Sequence, residues 1–371
     1  MADITNDSAT TRVYRPPPSE ATGAIGWMRR NLFNSVLNSI ITILLVLLIG
    51  MVVWNFIDWA IFKSVVSAKS GQECAKISPE GACWAFVVDK YRLIFFGTYP
   101  FEEHWRPLFA CISCVAMLIL SCDRRFWNWW LAVIWLVGTV VTLTLMFGGI
   151  LGLSYVETSK WGGLPVTLIL ASYGLALAFP LGILAALGRR SKLPLIKGLC
   201  VGYIELIRGV PLISLLIMAS VMLPLFLPTG MTIDKFLRAL VAVTLFAGAY
   251  IAEIIRGGLQ SIPKGQYEAA DAMGLSYVQK TAFIILPQAL QVVIPPLVNT
   301  FIGFFKDTSL VLIIGIFDLL NAGEQAIVDR TWSGYANEIH VFLAIIYFVM
   351  CYSMSRYSKY LEREMNKSVR R

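Results

Sequence analysis

Histidine is nearly absent: His104 and His340 are the two in 371 residues, and neither has a partner at metal-ligand spacing. A histidine-built metal centre is thereby excluded. The chain also lacks a G-x-x-x-x-G-K-[ST] phosphate loop, so it does not bind and hydrolyse ATP by that route. It has no HExxH helix and no nucleophile elbow, and no enzyme chemistry is left. Charge is scarce as well. Only 15% of residues are charged against 57% apolar, and a water-soluble domain of this size has no use for so much apolar surface. The charges sum to +8, but no soluble segment interleaves basic with aromatic residues, so nucleic acid is not the partner they imply. Nor do polar and apolar residues alternate over stretches of about 10, which excludes a β-barrel.

What is present is a series of uninterrupted apolar runs, several reaching the roughly 20 residues that cross a bilayer as a helix. The expected fold class is an all-α polytopic membrane protein with about eight transmembrane helices. They lie at 36–57, 106–122, 127–151, 164–188, 204–227, 236–256, 285–304 and 339–356. The second is the weakest and begins at Pro107, a residue suited to a first helical turn. The apolar run Ser309–Leu320 is too short to span and reads as a re-entrant or interfacial helix. Residues to 31 are polar, include Pro16-Pro17-Pro18, and read as a disordered tail. That stretch is too long and polar for a cleaved signal peptide.

Orientation follows from Lys and Arg in short loops. With the N-terminus inside, the inside segments hold Arg29 and Arg30, Arg124 and Arg125, Arg189, Arg190, Lys192 and Lys197, Lys264 and Lys280, and the basic C-terminus from Arg356. The connections Leu153–Trp161 and Pro228–Lys235 carry few. The long exterior segment 58–106 balances six basic against six acidic residues and does not oppose this assignment. Both termini are therefore expected in the cytoplasm of a multi-pass protein.

The exterior segment contains Cys74 and Cys83, and an oxidising exterior favours a disulfide between them over two free thiols. Cys111 and Cys114 have CxxC spacing but lie within an apolar run, where small packing residues are the simpler reading. The organisation divides into a tail (1–31), a three-span extension (32–157), a five-span core (158–361) and a short basic tail (362–371).

One polar segment stands out between the sixth and seventh spans: Glu268-Ala269-Ala270-Asp271-Ala272-Met273-Gly274. Gly257-Gly258 and Pro263 are expected to end the sixth span. Gln266–Met273 has good helix formers and a small face through which a partner approaches closely. Gly274 breaks that helix, a second short helix runs from about Ser276 to Ile284, and Pro287 starts the next span. A helix-turn-helix of this kind moves as a rigid body and carries motion into the attached spans.

Glu-Ala-Ala, three residues, Gly, nine residues, then Ile284-x-Leu286-Pro287 resembles the cytoplasmic loop signature of importer permeases of the ATP-binding-cassette class, with every signature position matched. The resemblance covers the chain from about residue 160. It implies that Glu268, Ala269, Ala270, Gly274, Ile284, Leu286 and Pro287, within the loop 257–287, couple the core to an ATPase. The wording Gly248-Ala-Tyr-Ile-Ala-Glu-Ile-Ile-Arg-Gly-Gly258 and Tyr203-Ile-Glu-Leu-Ile-Arg-Gly-Val-Pro211 is similar to the polar amino-acid uptake branch. The three extra spans and the cysteine-bearing loop resemble the larger permeases of general L-amino-acid uptake systems. The implied assembly has a cytoplasmic ATPase dimer, a second and related permease, and a periplasmic amino-acid-binding protein, in a bacterial inner membrane. No cofactor is expected in this chain, since ATP and Mg²⁺ belong to the partner ATPase.

Ionisable residues near spans are functional candidates because lipid penalises them. Glu205 and Arg208, and again Glu253 and Arg256, are three apart and read as pairs on single helix faces, structural or gating in role. Asn299, Lys306, Asp307, Thr308 and Ser309 are candidates for the substrate pathway. A zwitterionic amino acid needs a cation or helix N-terminus for its carboxylate and an acceptor for its ammonium, which Lys-Asp-Thr-Ser at a helix break supplies. The alternative is that Lys306 and Asp307 snorkel at the outer interface. The rival function is a secondary amino-acid transporter driven by an ion gradient, but the sequence shows no repeat between its halves.

Overall fold

The computed structural model describes residues 23–228 and 230–369. Most of the expected tail, residues 1–22, and the last two residues of the basic C-terminus lie outside that range. Two compact units divide the described residues: one holds those up to Val65 with Ile77–Ala82, the other Val66–Lys76 and those from Cys83. In the first unit, α1 (Ala24–Asn31) is an amphipathic helix where a disordered tail is expected, with Arg29 and Arg30 in its last turn. Basic side chains there complement the helix dipole. The second helix, α2 (Val36–Ile57), is capped by Ser35 and buries none of its residues; it continues to Phe62 through a π turn in which Ala60 is buried.

The second unit begins with α3 (Gly71–Ile77), all but its last residue, and continues with α4 (Trp84–Phe96), α5 (Trp105–Cys122) and α6 (Trp129–Phe147). After α7 (Gly163–Arg189) comes α8 (Pro194–Gly209), then α9 (Leu212–Ile217) and α10 (Leu223–Leu225) joined by a π turn. Next are α11 (Lys235–Ser261), α12 (Lys264–Ala272), α13 (Tyr277–Gln279), α14 (Leu286–Asp307), α15 (Leu319–Ile327) and α16 (Ala336–Val369). Among the described residues, seven helices are long and apolar enough to cross a membrane, eight if the bent pair 194–209 and 212–225 counts as one span. The expected number and order of spans are therefore present. The boundary expected near 157 falls inside this unit, because one buried core runs from Cys114 and Met146 through Trp161 and Val166 to α11 and α14.

Four local expectations differ from the structure. The fifth span is not one rod from 204: α8 and the 212–225 segment meet at 107°. Pro211 fixes its own φ and keeps the residue before it out of the helical region, and Val210 is extended at φ −111° and ψ 133°. The sixth span passes through Gly257-Gly258 to Ser261. Gly258 serves a close approach there, since a Cβ would lie 2.7 Å from the Ala289 carbonyl of α14. Pro287 does sit in the first turn of α14, but that turn is not a fresh start: a π turn joins α13 to α14, and helix continues from Tyr277 to Ile314. Finally, no break occurs at Lys306–Ser309. Thr308 Oγ1 and Ser309 Oγ donate to the carbonyls three residues back, at 2.8 and 2.9 Å, and the α-helix tightens into a 3-10 turn, Thr308–Ile314. The run Ser309–Leu320, expected as one short helix, opens as that 3-10 turn; α15 begins only at Leu319, capped by Asp318.

The longest packing seam joins α7 to α11. Its buried face is rich in small residues, among them Ala178, Ala185, Ala242, Ala247 and Ala252. In lipid, where apolar burial between helices gains little, such residues let backbones approach for dispersion contact.

Interhelical bonds define two ends of this second unit. At one, Cys74 and Cys83 form the expected disulfide. The Cys83 N–H donates to the buried Glu338 at 2.9 Å, Trp332 Nε1 donates to Asp89 at 2.9 Å, and Lys90 pairs with Asp329 at 2.6 Å. Closing a loop of nine residues is worth about 2–3 kcal/mol in the chain-entropy model. Mass spectrometry of alkylated, unreduced membranes is expected to find Cys74 and Cys83 unlabelled; two labelled thiols would refute the bridge.

The ammonium of Lys90 and then the Thr331 N–H lower the Asp329 carboxyl to about 2. A depressed carboxylate stabilises above its unfolded pKa of about 3.9 and loses that contribution as pH falls through its folded value. Wild type should therefore unfold at a slightly higher temperature than Asp329→Asn near neutrality, and the gap should close below about pH 4. A gap that widens on acidification would contradict the assignment.

Candidate functional site

The opposite end of the unit is charged, and α12 lies there. Its helix starts after Pro263 and ends where Gly274 takes φ +72°. There the N–H groups of Met273, Gly274 and Leu275 return to the carbonyls of Ala269, Asp271 and Ala270. Left-handed φ is open to glycine without the Cβ penalty other residues meet. A capping box between Ser276 and Gln279 then starts α13, and Lys280 forms an ion pair back to Asp271 across the turn. Every bend in the joint thus has a local cause.

Glu268, Ala269 and Ala272 are exposed, Ala270 is fully buried, and Ile284 and Leu286 are half-buried on the path into α14; Pro287 is exposed. Two residues not singled out from the sequence hold α12 to the bundle. Tyr267 Oη donates to the Leu259 carbonyl of α11 at 3.1 Å. Arg190, just beyond α7, donates to that carbonyl at 2.9 Å and to Tyr267 Oη at 3.0 Å, with its guanidinium over the ring at 5.5 Å. Gln288 of α14 donates to Gln266 at 3.2 Å. The α12 helix is therefore tied to α7, α11 and α14 together, and a shallow groove of about 400 Å³ opens beside it, lined by Arg190, Ile262, Lys264, Tyr267 and Glu268 among others.

Above the joint, the expected pairs merge into one knot. Glu253 and Arg256 do pair, with Arg256 Nε donating to Oε2 at 3.0 Å. Glu205 and Arg208 take other partners: Arg189 of α7 reaches Glu205 at 2.9 Å and Glu253 at 3.4 Å, and Arg208 lies 3.7 Å from Glu253. Spacing along one helix cannot reveal Arg189, which arrives from a neighbouring helix. Glu253 is the hub, serving three guanidinium groups.

The pathway candidates are less concentrated. Asn299 and Lys306 are exposed, seven residues apart on α14 and so on nearly the same face. Asp307 is partly buried, Thr308 is buried, and both hydroxyls of Thr308 and Ser309 are occupied by their own helix. Among the described residues, no group of three or more His, Cys, Asp or Glu side chains is placed to hold a metal ion.

Comparison with known proteins bears on this arrangement. Residues 178–367 match a family model described as the binding-protein-dependent transport system inner membrane component. The chain is 47% identical to the inner membrane amino-acid ABC transporter permease protein YhdY of Escherichia coli (strain K12), covering 95% of this chain and 96% of that protein. It is 38% identical to the glutamate/glutamine/aspartate/asparagine transport system permease protein BztC of Rhodobacter capsulatus, over 96% and 97% of the two chains. Against the glutamine transport system permease protein GlnP of Escherichia coli (strain K12), identity is 36% over 55% of this chain but 91% of that one.

Proposed function

The chain belongs to the family of binding-protein-dependent transport system inner membrane components, and on that premise we propose that it is the permease subunit of an ATP-driven importer of L-amino acids. It is a multi-pass membrane protein, similar along nearly its whole length to amino-acid ABC transporter permeases. Without a phosphate loop of its own, it takes its driving force from a separate ATPase. The observation that carries the reading is the triple attachment of α12: an exposed, small-faced helix tied to α7, α11 and α14 transmits a push on its outer face to all three spans. The groove beside Glu268 receives the ATPase on the cytoplasmic side, where the Lys and Arg distribution puts this end.

Substrate delivered by a binding protein at the opposite, disulfide-bearing face passes along α14 near Asn299 and Lys306–Ser309, beside a second permease subunit. Purification in mild detergent is the test of assembly: the chain should bring an ATPase with it, and arrival without any nucleotide-binding subunit would count against the reading. For the pathway, Asp307→Ala and Thr308→Ala should change the relative uptake of different L-amino acids by severalfold, as the loss of a buried polar contact does. Unchanged selectivity and rate in both variants would remove these residues from the pathway.

A further inference from the structure

Thr167, Asp318 and Asn321 are among the buried polar side chains that belong neither to the α12 joint nor to the charged knot. Asp318 has no exposed surface at all. Its Oδ1 accepts the backbone N–H of Asn321 at 3.1 Å and the side-chain amide of the same residue. Its Oδ2 accepts the hydroxyl of Tyr347, on α16, at 3.0 Å. Asn321 uses the rest of its amide to hold the Ser309 carbonyl at 2.8 Å. One residue along, the Leu319 N–H donates to Thr167 Oγ1 on α7 at 2.9 Å, and Phe317-Asp318 run parallel to Gly162-Gly163 at the start of that helix. Three spans, α7, α14 with its 3-10 continuation, and α16, therefore meet around one carboxylate.

A helix cap alone does not account for this arrangement. Capping α15 requires only the bond from the Asn321 N–H, which an exposed Asp makes equally well. It requires neither Tyr347 nor full burial, and a carboxylate buried without a cation is costly unless donors surround it. All the donors here come from elements that flank Lys306–Ser309. We propose that Asp318 is a positioning residue for substrate passage: shared between Asn321 and Tyr347, its carboxylate fixes the Ser309 carbonyl and with it the 3-10 turn Thr308–Ile314 against α7 and α16. The role rests on the reading of Lys306–Ser309 as part of the pathway.

The test uses the complete transporter in proteoliposomes, with uptake of a radiolabelled mixture of the proteinogenic L-amino acids followed against binding-protein concentration. Asn caps a helix as well as Asp, so Asp318→Asn keeps the start of α15 and should still yield folded, membrane-inserted protein. It turns one acceptor oxygen into a donor, and the maximal uptake rate should fall about tenfold or more, as for a lost hydrogen bond to a buried charge, with the half-saturating concentration unchanged. Tyr347→Phe should fall in the same direction, and the double variant should be no worse than Asp318→Asn, since both remove one shared interaction. Wild-type rates in Asp318→Asn would reduce the residue to a cap and overturn the proposal. So would a rate loss that only follows a loss of folded protein while Tyr347→Phe transports normally. A defective Asp318→Asn beside fully active Asp307→Ala and Thr308→Ala would instead remove the pathway reading and leave Asp318 joining the three helices.

Discussion

Gly274→Val is expected to abolish amino-acid uptake and the stimulation of the partner ATPase, while the protein still reaches the membrane in normal amount. At φ +72°, a Cβ on this residue would meet nothing within 4 Å, so the penalty is conformational and not steric against a neighbour. Left-handed backbone costs an L-residue about 1–2 kcal/mol, and a β-branched one more. That cost falls on the turn whose N–H groups close α12 onto the carbonyls of Ala269, Ala270 and Asp271. None of the α7–α11 seam is involved. A turn that relaxes away from φ +72° re-aims α12 relative to α14, and a push on α12 no longer reaches the spans in register. A graded series follows. Asn tolerates this conformation and should lose least, Ala should lie between, and Val should lose nearly everything. Normal uptake by Gly274→Val would sink the idea that this joint transmits motion.

Glu253→Gln is expected to lower both the unfolding temperature and the transport rate, because one carboxylate serves Arg189, Arg208 and Arg256. Glutamine keeps the shape but leaves three guanidinium groups facing a neutral amide. Glu253 and its three arginines are a fifth to a third exposed, so solvent screening reduces the cost, and about 1–3 kcal/mol is the expected size. A loss of that order should move the melting temperature by several degrees. Arg256→Ala should cost less, since Arg189 and Arg208 still reach Glu253. Differential scanning fluorimetry in detergent measures both. Equal melting curves for wild type and Glu253→Gln would show that the knot is an exposed set of contacts with no structural weight.

The sequence carried the spans because lipid imposes a length and a composition that no other environment does. It carried the α12 joint because Gly274, Ser276 and the alanines each act locally, through φ, capping and side-chain size. It failed where a second helix supplies the partner. Glu205 and Arg208 are three apart, yet Glu205 bonds to Arg189, some sixteen residues earlier and one helix away. Arg190 and Tyr267 likewise meet across 77 positions, and Asp318 finds Tyr347 across 29. Pro211 is a different case. Its effect on Val210 is local and was readable, but the hydropathy of the surrounding run conceals the bend. At Lys306–Ser309 the residue types suggest a break. Instead, Thr308 and Ser309 bond back into their own helix, which tightens without opening.

Uptake by the purified transporter in sealed proteoliposomes tests the account at its centre. With binding protein and a radiolabelled mixture of the proteinogenic L-amino acids outside and ATP with Mg²⁺ inside, label should accumulate, and Gly274→Val should stop it. Without ATP, an imposed proton or sodium gradient should drive none. Accumulation on an ion gradient alone, untouched by Gly274→Val, would contradict an ATP-driven permease worked through α12.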